Sequence, residues 1–142
     1  MEEVTFFSEN KVKEKLQVHF DGLQNQQVLY GKKVEKIFKR KNCTYIFFTS
    51  DDSPYEETLY ITLIDSKGEV IESVELSKPY SPGILKDLVI KNDQTIEFKF
   101  WGDSINNLII ADKKKVHISH AIPSNGLRYS NKLSPSYLTI KD

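Results

Sequence analysis

The chain has 142 residues, the length of one ordinary domain, and 39% of them are hydrophobic. Lysine plus arginine total 20, and so do aspartate plus glutamate, so the chain lacks the net positive charge typical of nucleic-acid-binding domains. Cys43 is the only cysteine, which excludes an intramolecular disulfide, but a chain of this length can bury a core without one. We therefore expect one domain over residues 1–142.

The first 42 residues predict short strands separated by turns. Residues 12–20 alternate between apolar and polar side chains, which favours a strand over the alternative helical stripe. Asp21-Gly22 predicts a turn before a strand over 27–30, and residues 32–41 fit either a strand or a piece of helix. The apolar positions of the first strand are Val12, Leu16, Val18 and Phe20, and His19 falls on its polar face.

The middle of the chain predicts strands joined as hairpins. Residues 43–50 and 58–64 are rich in β-branched and aromatic side chains at both parities, so each predicts a central strand covered on both faces. The turn Asp65 to Gly68 leads into a third strand over 70–76. We expect Cys43 to be a packed thiol, because it begins a segment dense in aromatic residues.

The second half of the chain predicts two further hairpins. One pairs residues 88–91 with 95–101, and the other pairs 108–111 with 116–118 across four charged residues. The C-terminal segment, 121–142, is less regular, and only its residues 137–140 predict a strand. The positions predicted to be buried are Phe47, Leu59, Ile61, Leu63, Leu88, Ile90, Ile96, Phe98 and Phe100.

These patterns predict an all-β, mainly antiparallel chain. Turns recur about every 10 residues and no segment predicts a long helix, which favours a single-domain β-sandwich or small barrel built from consecutive hairpins. We expect helix in less than about a fifth of the residues, and only within 1–42 or 79–86.

The first residues of the chain and its apolar runs indicate where in the cell to expect the protein. Residues 1–9 contain three glutamates and no basic side chain, unlike a secretory signal. The uncharged apolar runs, 44–49 and 108–111, are far shorter than the ~20 residues of a membrane-spanning helix. We expect a cytoplasmic protein without membrane contact.

No motif for catalysis or cofactor binding is present in the sequence. The six glycines are scattered, so neither a phosphate loop nor a dinucleotide loop is predicted, and no nucleophile lies in a recognised elbow. His117 and His120 would point to opposite faces of a strand, so we interpret them as surface or strand-end histidines and predict no metal site. We expect a protein that is not an enzyme and needs no cofactor.

Charge is segregated along the chain although the total is neutral. Residues 43–76 hold eight acidic residues and one lysine, whereas 113–142 hold six basic residues and one acid. The densest acidic segment lies in a predicted loop, and a solvated turn is the alternative to a contact with a basic partner. The predicted partner-binding residues of this loop are Asp51, Asp52, Tyr55, Glu56 and Glu57.

Basic residues cluster at 32–41 and at 113–115. Charged residues at sheet edges also protect against edge pairing, and most aromatics fall at core parities, so we do not expect nucleic-acid binding. The sequence does not indicate an oligomeric state.

In its overall character and in its acidic loop over 51–57, the chain resembles the immunity proteins of bacterial toxin systems, including contact-dependent growth inhibition. The resemblance implies a protein that binds and blocks one cognate, often cationic, toxin domain through shape and charge complementarity. The alternative is a β-barrel or sandwich that binds a small apolar ligand, and it depends on whether bulky side chains such as Phe98 and Phe100 fill the interior.

Overall fold

The computed structural model describes residues 1–13, 15–23, 27–53, 56–121 and 126–142. Nearly all of the regular structure in these ranges is β-strand, with one turn of 3-10 helix at Ile118–Ala121. The strands are β1 (Glu2–Glu3), β2 (Ser8–Val12), β3 (Lys15–His19), β4 (Gln27–Leu29), β5 (Lys33–Lys39), β6 (Tyr45–Ser50), β7 (Leu59–Ile64), β8 (Val70–Leu76), β9 (Lys86–Asn92), β10 (Thr95–Lys99), β11 (Ile105–Lys115), β12 (Leu127–Tyr129) and β13 (Ser136–Lys141). No helix of the described ranges is long and apolar enough to span a membrane.

The strands form three antiparallel sheets, which confirms the predicted all-β fold. The sheet orders are β1-β5-β6-β7-β8-β12, β13-β11-β10-β9 and β2-β3-β4. Each sheet is built around a run of consecutive hairpins, as predicted. Within the described residues the sheets are open and stacked as layers, so the sandwich, and not the barrel, is the form adopted.

The six-stranded sheet lies in the middle of the stack and has a hydrophobic core on each face. One core joins it to the four-stranded sheet, and the other joins it to the three-stranded sheet. Strand β6 shows why both are possible: Ile46 and Phe48 enter the first core, whereas Tyr45 and Phe47 enter the second. Because neighbouring residues of a strand point to opposite faces, a strand this rich in apolar residues needs a cover on both sides.

Aromatic rings connect the six-stranded and four-stranded sheets at the centre of the larger core. The rings of Phe38 and Phe48 meet edge to face at 5.9 Å between centroids, and those of Phe48 and Phe98 do so at 5.7 Å. Phe48 and Phe98 are fully buried, and burying each ring stabilises the fold by roughly 1.5–3 kcal/mol.

Side chains close the gap between β8 and the edge strand β13. The backbone N–H groups of Tyr137 and Leu138 donate to the carboxylate of Glu72, and the N–H of Ile140 donates to the Tyr129 hydroxyl at 2.9 Å. Burial raises the pKa of Glu72, although both backbone hydrogen bonds oppose that rise. The two sheets are therefore joined by buried acceptors at a place where the described strands form no backbone ladder between them.

Most of the predicted strands are confirmed, with β8 matching residues 70–76 and β6 and β7 lying within the predicted ranges. Residues 32–41 contain strand β5, not a piece of helix. Gly68 has a positive φ of 85°, as the turn before β8 requires. In the first predicted strand, residues 12–20, the chain turns at Lys13 (φ 49°) and forms two strands, which leaves Val12 exposed while Leu16, Val18 and Phe20 are buried.

The predicted hairpin over 108–118 is wrong. Residues 105–115 form one long strand, because β13 pairs alongside β11 as far as the Lys115–Ser136 pair. The four charged residues 112–115 extend this strand with exposed side chains instead of forming a turn. The helical turn at Ile118–Ala121 follows, outside both regions in which helix was expected.

The predicted core is confirmed at seven of its nine positions, and the exceptions lie on β9. Leu88 is half-buried and Ile90 is 37% exposed. Ile90 lies opposite the buried Ile96 and so faces the core side of its sheet. Among the described strands β9 pairs with β10 alone and so forms an edge of the sheet, which leaves its inward side chains in partial contact with water.

Candidate functional site

The acidic loop, residues 51–57, joins the ends of the central strands β6 and β7. Its described part is organised by Glu57, whose carboxylate accepts backbone N–H bonds from Asp51 (2.9 Å), Ser53 (3.1 Å) and Thr58 (3.1 Å). Glu57 is only 8% exposed. Burial raises its pKa, the three backbone bonds lower it, and the neighbouring Asp51 charge raises it further, with a net rise. Glu57 therefore holds the loop in shape from the inside.

Asp51 also takes part in the internal structure of this region. The Tyr60 hydroxyl donates to its Oδ2 at 3.2 Å, and Asp51 is half-buried. The pKa of Tyr60 is raised above its ordinary value by burial, then by the charge of Asp51 and the hydrogen bond to it. The Tyr60 ring stacks on Tyr30 at 5.9 Å, which supports this end of the sheet.

The exposed acids of the described part of the loop are Asp52 and Glu56. Asp52 has a positive φ of 54°, a conformation that aspartate tolerates better than most residues. Glu56 Oε1 accepts a hydrogen bond from the backbone N–H of Tyr80 at 3.1 Å and so connects the acidic loop to the segment between β8 and β9. Tyr55, predicted to be the aromatic anchor, lies outside the described residues.

The neighbouring segment, residues 77–85, presents large apolar side chains beside the acidic loop. Tyr80 is 90% exposed and Ile84 is 74% exposed. The segment is held by the Ile84 N–H, which donates to the Phe100 carbonyl at 2.9 Å. Gly83 packs directly on the Phe100 ring, where an added Cβ would lie 2.5 Å from the nearest ring carbon. These contacts hold segment 77–85 beside the acidic loop, although the segment contains two prolines and a glycine and forms neither a strand nor a helix.

A cavity of about 460 Å³ lies between the two loops and the start of β5. Three carboxylates and one lysine supply its charged groups, and the segment 77–85 and Phe100 supply its apolar wall. The charged lining residues are Lys33, Glu35, Asp52 and Glu57, and the apolar ones are Gly83, Ile84, Leu85 and Phe100. We call this cavity the acidic cavity, and we call the exposed residues Asp52, Glu56, Tyr80 and Ile84 the rim.

Glu35 is a site residue to which no pattern in the sequence points. Its Oε1 accepts a hydrogen bond from the buried Ser50 hydroxyl at 2.8 Å and lies 3.9 Å from the Lys33 ammonium. In the sequence it is one acid within a mainly basic segment, and only the pairing of β5 with β6 brings it beside the acidic loop. The cavity thus holds three carboxylates against one lysine, and two of the three, Glu35 and Glu57, are fixed by hydrogen bonds.

The other residues singled out in the sequence lie elsewhere. Cys43 is exposed with φ 64°, so the prediction of a packed thiol is wrong: β6 begins only at Tyr45, and Cys43 lies in the preceding turn. His19 is exposed, as predicted. Arg40, from a basic cluster, is buried and its Nε donates to the Asp93 carbonyl at 3.0 Å, so it joins two turns of the fold.

His120, interpreted as a surface or strand-end histidine, lies in the helical turn after β11 and is buried. Its ring stacks between His117, at 4.5 Å, and Tyr129, at 3.6 Å, and its Nδ1 lies 3.3 Å from the Ser136 hydroxyl. Burial and then the His117 charge lower its pKa. In the part of the chain that the structure describes, no three His, Cys, Asp or Glu side chains are grouped so that they could hold a metal ion.

Comparison of the chain with protein-family models, with curated proteins and with solved structures returns no match.

Proposed function

We propose that this chain is a binding protein that neutralises a cognate toxin domain by forming a specific complex with it. The partner is a basic protein, and the contact surface is the acidic cavity with its rim. The observation that carries the proposal is a cavity of about 460 Å³ with three carboxylates against one lysine, beside an exposed tyrosine and isoleucine.

The acidic cavity suits a lysine or arginine side chain of the partner. Glu35 and Glu57 are held by hydrogen bonds before any partner arrives, so little side-chain entropy is lost on binding. Arginine is the better fit of the two, because its planar guanidinium donates to two carboxylates at once and is weakly hydrated.

The rim supplies the two other parts of a typical protein interface. Asp52 and Glu56 are exposed charges, which steer a basic partner and raise the association rate. Tyr80 is a large exposed ring on a backbone held by Glu56, and such aromatic anchors dominate the free energy of many interfaces. Tyr80 is the anchor that we propose among the described residues, and Tyr55, which lies outside them, stays a prediction.

The alternative function, binding of a small apolar ligand inside the sandwich, has no specific observation in its favour. The interior positions are occupied by fully buried rings, including Phe48, Phe98 and Phe100. The edge-to-face contact of Phe48 with Phe98 spans the space between the two sheets that such a ligand would need.

The experiment that tests the proposal begins with the protein encoded by the adjacent reading frame. Its domains are expressed in cells with and without this chain, and growth and complex formation are measured. Neutralisation of one toxic domain by direct binding is the expected result. If none of these domains is toxic, or if this chain neither binds nor neutralises the toxic one, the proposal is wrong.

The contact surface is tested by reversing charge on the rim. Asp52→Lys with Glu56→Lys should slow association most at low salt, because screening already weakens the attraction at high salt. The matched control is Asp21→Lys with Glu69→Lys, two exposed acids near the other end of β6 and β7. If the two double variants slow association equally, the contact surface does not lie at the acidic loop.

Tyr80 is tested through the dissociation rate. Tyr80→Ala should speed release of the toxin domain by a factor of about 5–150, the range expected for the loss of an interface anchor. Phe6→Ala removes another ring that is 90% exposed and serves as the control. Unchanged dissociation of the Tyr80 variant would leave the rim with a purely electrostatic role.

A further inference from the structure

A second cavity, of about 390 Å³, lies at the end of the sandwich between the six-stranded and four-stranded sheets. Its lining comes from the ends of several strands and from the turn between β10 and β11. The lining residues are Lys78, Trp101, Ser104, Ile105, Asn106, Leu127 and Asp142. None of them lines the acidic cavity, so the two sites are separate.

Asn106 carries a buried amide nitrogen, Nδ2, that has no hydrogen-bond partner among the described residues. The residue is only 6% exposed and lies on the inward parity of β11, with Leu108 and Ile110. More than about nine in ten buried polar groups in native proteins are hydrogen-bonded, so each exception calls for an explanation. The terminal torsion of asparagine is soft, which allows the amide to turn toward an acceptor in the cavity.

Trp101 lines the same cavity and carries a second buried donor. Its indole Nε1–H is also buried without a partner in the described ranges. Tryptophan can only donate at this atom, and when buried it usually finds an acceptor. Two unpartnered donors on residues lining one cavity indicate that an acceptor group belongs there.

Lys78 supplies positive charge beside these donors. Its ammonium lies 4.1 Å from the centroid of the Trp101 ring and, within the described residues, forms no ion pair. Gly126 allows its backbone to approach Lys78 and Trp101 closely. A Cβ at this position would lie 2.8 Å from Lys78 Cγ and 3.0 Å from the Trp101 ring. The positive φ of 76° at Gly126 excludes most other residues as well.

We propose that this cavity binds a small organic carboxylate. The Asn106 amide and the Trp101 indole donate to the carboxylate oxygens, and the Lys78 ammonium balances their charge. Ile105 and Leu127 offer contact to the apolar body of the ligand. Asp142 also lines the cavity, and its carboxylate opposes a second negative charge on the ligand, which favours a monoanion over a dianion.

Trp101 is the only tryptophan of the chain, so its fluorescence reports on this cavity directly. The full-length protein is titrated with benzoate, with benzamide as the neutral analogue and benzylamine as the cationic one. We expect a saturable change with benzoate in the millimolar range, as is usual for so small a ligand, and weaker binding of the two analogues. No saturable change with benzoate, or equal binding of benzylamine, would overturn the proposal.

Two variants locate the binding. Asn106→Leu should reduce benzoate affinity at least about tenfold, the factor for one charge-assisted hydrogen bond, and should melt no lower than wild type because it removes an unpaired buried amide. Asn107→Leu, on the opposite face of β11, is the matched control and should bind normally.

Lys78→Gln tests the charge contribution with a substitution that lies outside the hydrophobic cores. It should weaken benzoate but leave benzamide binding unchanged, since only the charge contribution is lost. Benzoate affinity that stays at the wild-type value in both Asn106→Leu and Lys78→Gln would overturn the proposal, whatever the fate of the toxin-binding surface.

Discussion

Glu57 lines the acidic cavity and also holds the acidic loop in shape, and its substitution tests this structural role. In Glu57→Gln, one carboxylate oxygen becomes an NH₂ group. If the remaining oxygen keeps the bonds from Asp51 and Thr58, the new NH₂ faces the N–H of Ser53, a donor against a donor. The partly buried Ser53 N–H is then left without an acceptor, which costs about 1–3 kcal/mol, and donor–donor repulsion adds to this cost while relief of the buried charge offsets part of the total. We expect the free energy of unfolding to fall by roughly 1–3 kcal/mol.

The assay is urea denaturation at neutral pH, with Asp52→Asn as the control. Asp52 is exposed and accepts no hydrogen bond from the described residues, so its substitution should change the free energy of unfolding by less than about 0.5 kcal/mol. The slope of the unfolding free energy against urea should stay constant in both variants. A Glu57→Gln protein as stable as wild type would refute the structural role argued for Glu57.

The pH dependence gives an independent check on Glu57. The pKa of Glu57 is raised in the folded chain above its ordinary value of 4.5, so the folded state keeps the proton to higher pH than the unfolded state does. Stability from this group is therefore fully present below pH 4.5 and is lost as pH rises through the raised folded pKa. Wild type should thus lose stability relative to Glu57→Gln across that window, and a relative gain with rising pH would contradict the assignment.

Three further predictions concern packing and exposure. Phe98→Ala should lower the free energy of unfolding by roughly 3–5 kcal/mol in urea denaturation, while Phe6→Ala, at an exposed ring, should cost less than about 0.5 kcal/mol. Gly83→Ala should destabilise the chain and shift segment 77–85, seen as faster amide exchange there, because its Cβ would meet the Phe100 ring. The Cys43 thiol should react with a thiol reagent in the folded protein as fast as in urea, and strong protection would contradict its exposed position.

Much of the fold follows from patterns that a few adjacent residues carry. The alternation and composition of 43–50, 58–64 and 70–76 predicted three strands, and Asp65 to Gly68 predicted the turn between the last two. Because apolar side chains occupy both faces of β6, the sequence also predicted that each face of this strand is packed against other residues. These features could be predicted because strand periodicity and turn chemistry act over distances of two to four residues.

Such local patterns do not predict which acids of the acidic loop are exposed. The position of the loop could be predicted from charge, but Glu56 and Glu57 are chemically identical neighbours, and one faces out while the other is buried. The backbone donors of Asp51, Ser53 and Thr58 decide this difference, and their positions depend on how β6 and β7 are joined. The sequence determined that the loop is acidic, and the folded loop determined that Glu56 is exposed on the rim while Glu57 lines the acidic cavity.

The sequence by itself determined that the chain forms antiparallel strands and which faces of most of them are apolar. Only the tertiary structure decided which sheet covers each face and what lies beside each loop. Glu35 and segment 77–85 join the acidic cavity through strand pairing and through Gly83 packing on Phe100. Such contacts join residues far apart in the chain, and they depend on shape, burial and the need to satisfy buried hydrogen bonds, which no short pattern records.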